Sequence, residues 1–529
     1  MATIELLGSG ILFATAIVIG VRFILSVFIK KPGPLPPGPK GLPLVGNVLD
    51  LPAKGEREWE HWLKHKDLYG PISSVTVLGV TLVILHSPEL AFALLEKKSS
   101  IYSARPTLVF ADMVGWGEAT PLLQLNKKHR LSRKLTHTMI GTPTVITPYL
   151  ALQETEAHRF LFRLLQQPEL FLNHIRTESA AIILKMTYGY TVEPHKPDPL
   201  VELADVSMAQ FALATTPGTW LVDVFPALKY IPDWVPGINW KKAVKEQQAQ
   251  LREFSQRPLK YAQQRIAKGN QESTYVGMFH SEREGNLTQE ENEIIKWSAV
   301  GMYGGGTDTS VNALSSFFLA MSIFPDVQRK AREEIDRVIG AGRLPTFSDR
   351  DNLPYIEAVV KESWRWHTVV PMGVGHATDA EDIVNGYRIP KGAVILPNVW
   401  WFTHDPAVYP EPHVFNPSRF LGPNSAPDPV NHIFGYGRRI CPGRHLAITS
   451  VWITIAQTLA AFDISKGLDE NGAEIEPIVR FSPSLISRPE DFKATIKPRS
   501  PGHEALIRKV EELYPWEESN ADELQKIVI

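Results

Sequence analysis

The sequence predicts a mainly α-helical body with a minor β-sheet region, an α+β fold. Most of the chain carries helical periodicity in stretches about 10 to 20 residues long. Only two segments, 72–85 and 383–396, read as strands, and the second contains Asn385-Gly386, a strong hairpin-turn signal. No fixed-period repeat and no second Pro/Gly-rich linker divides the 529 residues, so one large domain is expected. Hydrophobic residues at 44% and charged residues at 21% suit a globular core rather than disorder. A net charge of -2 gives no whole-chain electrostatic case for nucleic acid.

Taken in order, Leu6 to Ile29 is apolar apart from Arg22 and a few small polar residues. As a helix it would span about 36 Å, enough to cross a bilayer. It is long for a cleaved signal peptide and no clear small-residue cleavage site follows, so residues 1–30 read as a membrane anchor. Arg22 can snorkel toward the side where Lys30, Lys31 and Lys40 lie, which puts the body in the cytoplasm. Residues 31–46, with Pro32, Pro34, Pro36, Pro37 and Pro39, read as a stiff extended spacer. Residues 47–500 form the expected single main domain, and 501–529 a charged, surface-exposed C-terminal extension.

Lys127, Lys128, Arg130 and Lys134 concentrate positive charge in a balanced chain; a solvated helix face is the ordinary reading of such a cluster. Thr288 to Glu291 forms a capping-box pattern, opening a long helix that reaches Phe324 before Pro325. Gly301, Gly304, Gly305 and Gly306 fall in its middle, each costing about 0.5–1 kcal/mol relative to alanine. Close helix packing explains such glycines, and so does a ligand that needs the space. The adjoining Thr307-Asp308-Thr309-Ser310 places an acid and hydroxyls where water could interrupt the helical ladder. Glu362 and Arg365 share one face of another helix, which begins near Pro354 and ends before Pro371.

Cys441 is the only cysteine in the chain. It cannot form an internal disulfide, nor supply the second sulfur most structural zinc sites require. That leaves a packed thiol, a nucleophile or a metal thiolate. Gly437 and Gly443 remove bulk near the sulfur so that a large flat cofactor can approach, Arg439 adds positive charge, and a helix begins at the cysteine. Free amides at such a start favour thiolate.

The run Phe434-Gly435-Tyr436-Gly437-Arg438-Arg439-Ile440-Cys441-Pro442-Gly443 is the haem-ligand signature, and here the chain resembles the cytochrome P-450 family of haem-thiolate monooxygenases. The resemblance implies that family's fold, with haem b (iron protoporphyrin IX) between the long central helix and the cysteine-loop helix. It makes Cys441 the metal ligand, and Asp308 and Thr309 the proton-delivering pair. Glu362-Ser363-Trp364-Arg365 and Phe415 to Phe420 resemble the segments whose Glu362, Arg365 and Arg419 form a buried structural triad. Arg133 and, at a position where the family usually has tryptophan, His129 are implied haem-propionate contacts, and His376 is a further candidate. The pocket is implied to run along Phe110 to Trp116, Trp297 to Tyr303, Val369, Val370 and Ser484 to Ile486.

A monooxygenase of this kind inserts one oxygen atom of O2 into a C–H bond of a hydrophobic small molecule. Its electrons come from NADPH through a flavoprotein reductase, for which the basic cluster is a candidate docking face. The resemblance further implies an endoplasmic-reticulum membrane location, single-pass, and Phe225 to Trp234 resembles a stretch common in fungal members, which points to a fungal source and to secondary metabolism or xenobiotic oxidation. A haem-thiolate isomerase or peroxygenase, independent of a reductase, is the alternative; such proteins often lack the Asp308 and Thr309 pair. A non-enzymatic haem sensor or carrier would need no proton relay. A cysteine hydrolase using Cys441 with His445 lacks any visible oxyanion-hole motif.

Overall fold

The computed structural model describes residues 33–216, 218–235, 239–270, 273–282 and 286–529. The apolar segment 6–29 lies outside them; among the described residues no single helix is long and apolar enough to cross a membrane. Helices dominate. In chain order α1 (Lys127–Ile140), α2 (Leu150–Gln166), α3 (Phe171–Tyr188), α4 (Pro199–Thr215) and α5 (Trp240–Ala267) lead to the central helix α6 (Gln289–Ile323). It is followed by α7 (Pro325–Val338), α8 (Pro354–Trp366) and α9 (Arg444–Ala461).

The start of α6 is fixed by a capping box in which Thr288 Oγ accepts from the Glu291 amide and Glu291 reaches back to the Thr288 amide. Pro325 cannot continue the ladder, and the chain turns through 103° into α7. Between these ends α6 packs against α1, α3, α4, α5, α8 and α9. Its first half belongs to one hydrophobic cluster with Trp116, Phe211 and Phe254, its second half to another with Phe160, Trp452 and Phe462. The helix is therefore the shared wall of two core halves, and its glycines sit where they meet.

Both predicted strand segments contain strands, and the structure adds strands outside them at 376–377, 462–466 and 494–498. Strands β1 (Ile72–Val77) and β2 (Val80–Leu85) form a hairpin through Leu78-Gly79. Later come β3 (His376–Ala377), β4 (Asp382–Val384), β5 (Tyr387–Ile389) and β6 (Val394–Pro397). The main sheet has the order β1-β2-β6-β3 with β2 and β6 parallel, while β4 and β5 pair through Asn385-Gly386, both at positive φ. A two-stranded ribbon of β7 (Phe462–Lys466) and β8 (Ala494–Pro498) closes the set.

Two expectations need correction. From residue 33 the proline-rich segment is not a free spacer: the Pro37 carbonyl accepts from the Ser74 amide at 2.8 Å, Pro36 from Ser74 Oγ at 2.6 Å, and Pro34 from the Arg388 amide at 2.7 Å. It runs along the sheet because prolines lack a donor but keep their carbonyls. The C-terminal segment is not simply exposed either. Its helices α10 (Pro501–Arg508), α11 (Val510–Leu513) and α12 (Ala521–Gln525) pack against α2, α5 and α9 and bury Ile507, Val510 and Leu524, and Ile527 just beyond α12 is buried too.

Candidate active site

The Cys441 loop is closed by its own backbone. The Cys441 amide donates to the Phe434 carbonyl at 2.8 Å, around a 3-10 turn over Gly437–Arg439. Helix α9 starts at Arg444, so the sulfur stands just ahead of the helix rather than in its first turn, and accepts from the Gly443 and Arg444 amides. Burial pushes the thiol up; those amides, Arg133 and Arg444 oppose it. A metal bound at the sulfur would favour the thiolate further.

The two glycines of the loop do different things. A Cβ on Gly443 would lie 4.0 Å from Cys441 Sγ, facing the cavity. One on Gly437, at φ +52°, would come within 2.5 Å of the Leu95 carbonyl oxygen, and the Gly437 amide donates to the Glu96 carboxylate. Gly437 therefore lets the loop press against residues 92–97; it does not make room for a cofactor.

Cys441 opens onto a cavity of about 370 Å³, reached also by Phe434 and Gly443 from the loop and by Gly305 and Thr309 from α6. Arg105, His129, Arg133, His376 and Arg439 line the same cavity. Arg439 donates from Nε to Ser103 O at 2.8 Å and from Nη2 to Leu123 O at 2.7 Å; His376 donates from Nδ1 to Tyr102 O at 2.7 Å. Arg105 donates to the Pro121, Val374 and Gly375 carbonyls at 2.7, 2.6 and 2.8 Å. Burial, then the neighbouring guanidiniums, hold His129 and His376 down at about 3, while burial and Arg133 hold Arg439 at about 10.

Two atoms of this rim, Arg439 Nη1 and His129 Nδ1, are buried with no hydrogen-bond partner. Backbone carbonyls orient the Arg105 and Arg439 guanidiniums but cannot neutralise them. An anionic group in the cavity would remove their repulsion and occupy the orphaned atoms. A flat apolar ring bearing carboxylates and a metal that takes a thiolate answers the donor set, and haem is such a group.

Residues 36–493 match the family model for Cytochrome P450. The chain belongs to the cytochrome P450 family. It is similar to the cytochrome P450 monooxygenase claR of Ampulloclitocybe clavipes, 46% identical over 94% of this chain and 93% of the relative. A multifunctional cytochrome P450 monooxygenase, af510 of Aspergillus fumigatus, is 42% identical over 90% of each chain. An O-methylsterigmatocystin oxidoreductase of Aspergillus flavus is 38% identical over 94% and 93%. The chain is accordingly an oxidoreductase of the monooxygenase class with a haem-iron cofactor.

In this P450 the glycines of α6 divide in function. A Cβ on Gly304 would come within 2.7 Å of Met208 Sδ and one on Gly306 within 2.8 Å of Ile183 Cγ1, so both serve packing; one on Gly305 would meet nothing within 4 Å. Thr309 Oγ donates to the Gly305 carbonyl at 2.7 Å and lines the cavity. Asp308 does not. It lines a separate cavity of about 10 Å³ with Arg176 and Asp205, which has room for about one water. Burial pushes its carboxyl up to about 6, with Asp205 adding and Arg488 and Arg176 opposing.

The triad forms. Arg365 donates to Glu362 from Nε at 2.7 Å and from Nη2 at 2.9 Å, and Arg419 Nε donates to Glu362 Oε1 at 3.2 Å. Arg365 Nη1 donates to the Thr403 carbonyl at 3.0 Å, and Trp364 of the same helix packs edge-on against Phe434, which ties the triad to the cysteine loop. Of the implied pocket residues, Trp116, Val300, Val369, Val370, Leu485 and Ile486 line the cavity, whereas Phe110 is stacked on Trp220 with ring centres 3.6 Å apart. Arg105 was not foreseen. Its signal is a lone arginine in Tyr102-Ser103-Ala104-Arg105-Pro106, a run otherwise suited to burial. Lys127 pairs with Glu290 at 3.4 Å and Lys128 with Glu118 at 3.0 Å, while Arg130 and Lys134 remain exposed.

Proposed function

We propose that this P450 inserts one oxygen atom of O2 into a C–H bond of an apolar small molecule, with electrons from NADPH through a flavoprotein reductase. The observation that carries the reading is one cavity holding the chain's sole thiol, an orphaned cationic rim and the Thr309 hydroxyl. Bound at Cys441, haem b supplies the activation of dioxygen and the transfer of its oxygen atom. Arg105, Arg133 and Arg439, with His129 and His376, hold its propionates. Thr309 commits its proton to the Gly305 carbonyl, which leaves its oxygen lone pairs for the cavity. Asp308, its carboxyl pushed up to about 6 by burial, stands on the adjacent flank and collects protons from the solvent side past the Arg176–Asp205 pair, 3.3 Å apart.

Trp116, Met208, Phe211, Val300, Leu485 and Ile486 supply an apolar wall suited to a hydrophobic substrate. The fungal relatives, one named for O-methylsterigmatocystin, favour a secondary metabolite. The reductase docks on the α1 face that presents Arg130 and Lys134. Segment 1–30 anchors the protein in the endoplasmic-reticulum membrane with the domain on the cytoplasmic side.

The test is the carbon monoxide difference spectrum of the reduced holoprotein. A strongly red-shifted Soret band, absent in Cys441→Ser, is expected. A purified protein without tetrapyrrole would overturn the reading, as would turnover driven by peroxide and never by NADPH with reductase. Charge reversal at Arg130 and Lys134 should slow reductase-driven turnover most at low salt.

A further inference from the structure

Glu178 on α3 is 2% exposed and lines the haem cavity beside Ser179, with Ser450 and Thr454 from α9. Thr454 Oγ donates to its Oε1 at 2.7 Å, while Oε2 is buried without a hydrogen-bond partner. Behind it α2 contributes Glu156, Arg159 and Arg163, all buried. Arg159 donates to Glu156 at 2.6 Å, and Arg163 Nη2 lies 3.8 Å from Glu156. Each keeps one buried atom without a partner: Glu156 Oε2, Arg159 Nε and Arg163 Nη1.

Buried polar atoms without a protein partner are where ordered water bonds when there is room for it. The outer end of the group lies under the C-terminal segment. There the Pro515 carbonyl accepts from Arg159 at 2.6 Å, and the Trp516 ring lies 5.3 Å from the Arg159 guanidinium and 5.0 Å from that of Arg163. With Glu178, which feels the charges of Glu156 and Arg163, these side chains make a polar seam that reaches the surface strap through Arg159.

We propose that Glu178 is a proton-holding acid at the inner end of this seam, a second proton reserve for the cavity besides Asp308 and Thr309. One proton leaves Oε2 for a cavity water and one returns along seam waters; no electron moves. Burial is the main cause that pushes the carboxyl up, to about 8, with Glu156 adding and Thr454 and Arg163 opposing. The groups facing it are therefore Glu156 and Arg163 from α2 and the uncharged Thr454 from α9; α6 brings Ser310, Ala313 and Leu314 to the same cavity.

Infrared spectra of the full-length haem protein in H2O and D2O provide the test. At neutral pH a protonated-carboxyl C=O band is expected that fades as pH rises through about 8, vanishes in Glu178→Gln and persists, shifted, in Glu178→Asp. Asp308, at about 6, contributes its own band only at lower pH. A neutral-pH spectrum without that band, or one unchanged in Glu178→Gln, overturns the proposal. In a second measurement the haem reduction potential should show an inflection near pH 8 that Glu178→Gln abolishes; identical curves would deny Glu178 any link to the cavity. The infrared arm does not require haem, so failure of the haem reading and failure of this proposal are told apart.

Discussion

Glu362 accepts from Arg365, Arg419 and the Asn416 amide and is 0% exposed. Glu362→Ala would leave Arg365 charged and unpaired in the interior, at a cost of about 3–5 kcal/mol. A markedly lower melting temperature and sub-stoichiometric haem content are expected; a variant that melts like the parent would contradict the structural role. Glu178 gives a pH dependence of definite sign. Its folded value of about 8 lies above the ordinary 4.5, so the folded chain keeps a proton that the unfolded chain gives up. This contribution is fully present below 4.5 and is lost as pH rises through about 8, on the order of a few kcal/mol. Melting curves across that window should flatten in Glu178→Gln. The Glu362–Arg365 pair was legible because a spacing of three maps onto one helix face, whereas Arg419 and the role of Cys441 came through the family resemblance. Arg105 was hidden because its partners are backbone carbonyls at Pro121, Val374 and Gly375, which leave no trace in side-chain identity.

Helix α6 was readable at both ends, from its capping box and from Pro325, but not around its circumference. Consecutive helical residues point about 100° apart. Thr309 in the large cavity therefore turns Asp308 toward α3 and α4, a consequence the motif conceals when read as a unit. The same circumference separates the glycines. Gly305→Ala projects into open space and should preserve or raise stability by up to about 1 kcal/mol while narrowing the cavity. Gly306→Ala drives a methyl into Ile183 at 2.8 Å and should cost about 1–3 kcal/mol. Thermal melts of the two variants check the contrast, and equal shifts would refute the division of labour.

Across the whole molecule both chain ends of the described body are fastened to it. The proline-rich segment is held through carbonyls, a bonding mode that proline composition does not advertise. The C-terminal segment carried a signal under its charge: Ile507 with Val510, and Ala521, Leu524 and Ile527, recur every three residues and are buried. Arg257 Nη1 also donates to the Ile527 carbonyl at 2.9 Å, clasping the last turn to α5. Truncation after Ser500 removes these side chains, each contributing roughly 1.5–3 kcal/mol when large and fully buried. It should lower the melting temperature by several degrees and speed hydrogen exchange in α2; an unaltered melt would show the strap to be ornamental. The solitary thiol has a practical corollary. Since Cys441 faces an interior chamber and no other sulfhydryl exists in the sequence, any cysteine engineered onto the outside becomes a unique handle for a maleimide dye or spin label, with no background mutations required.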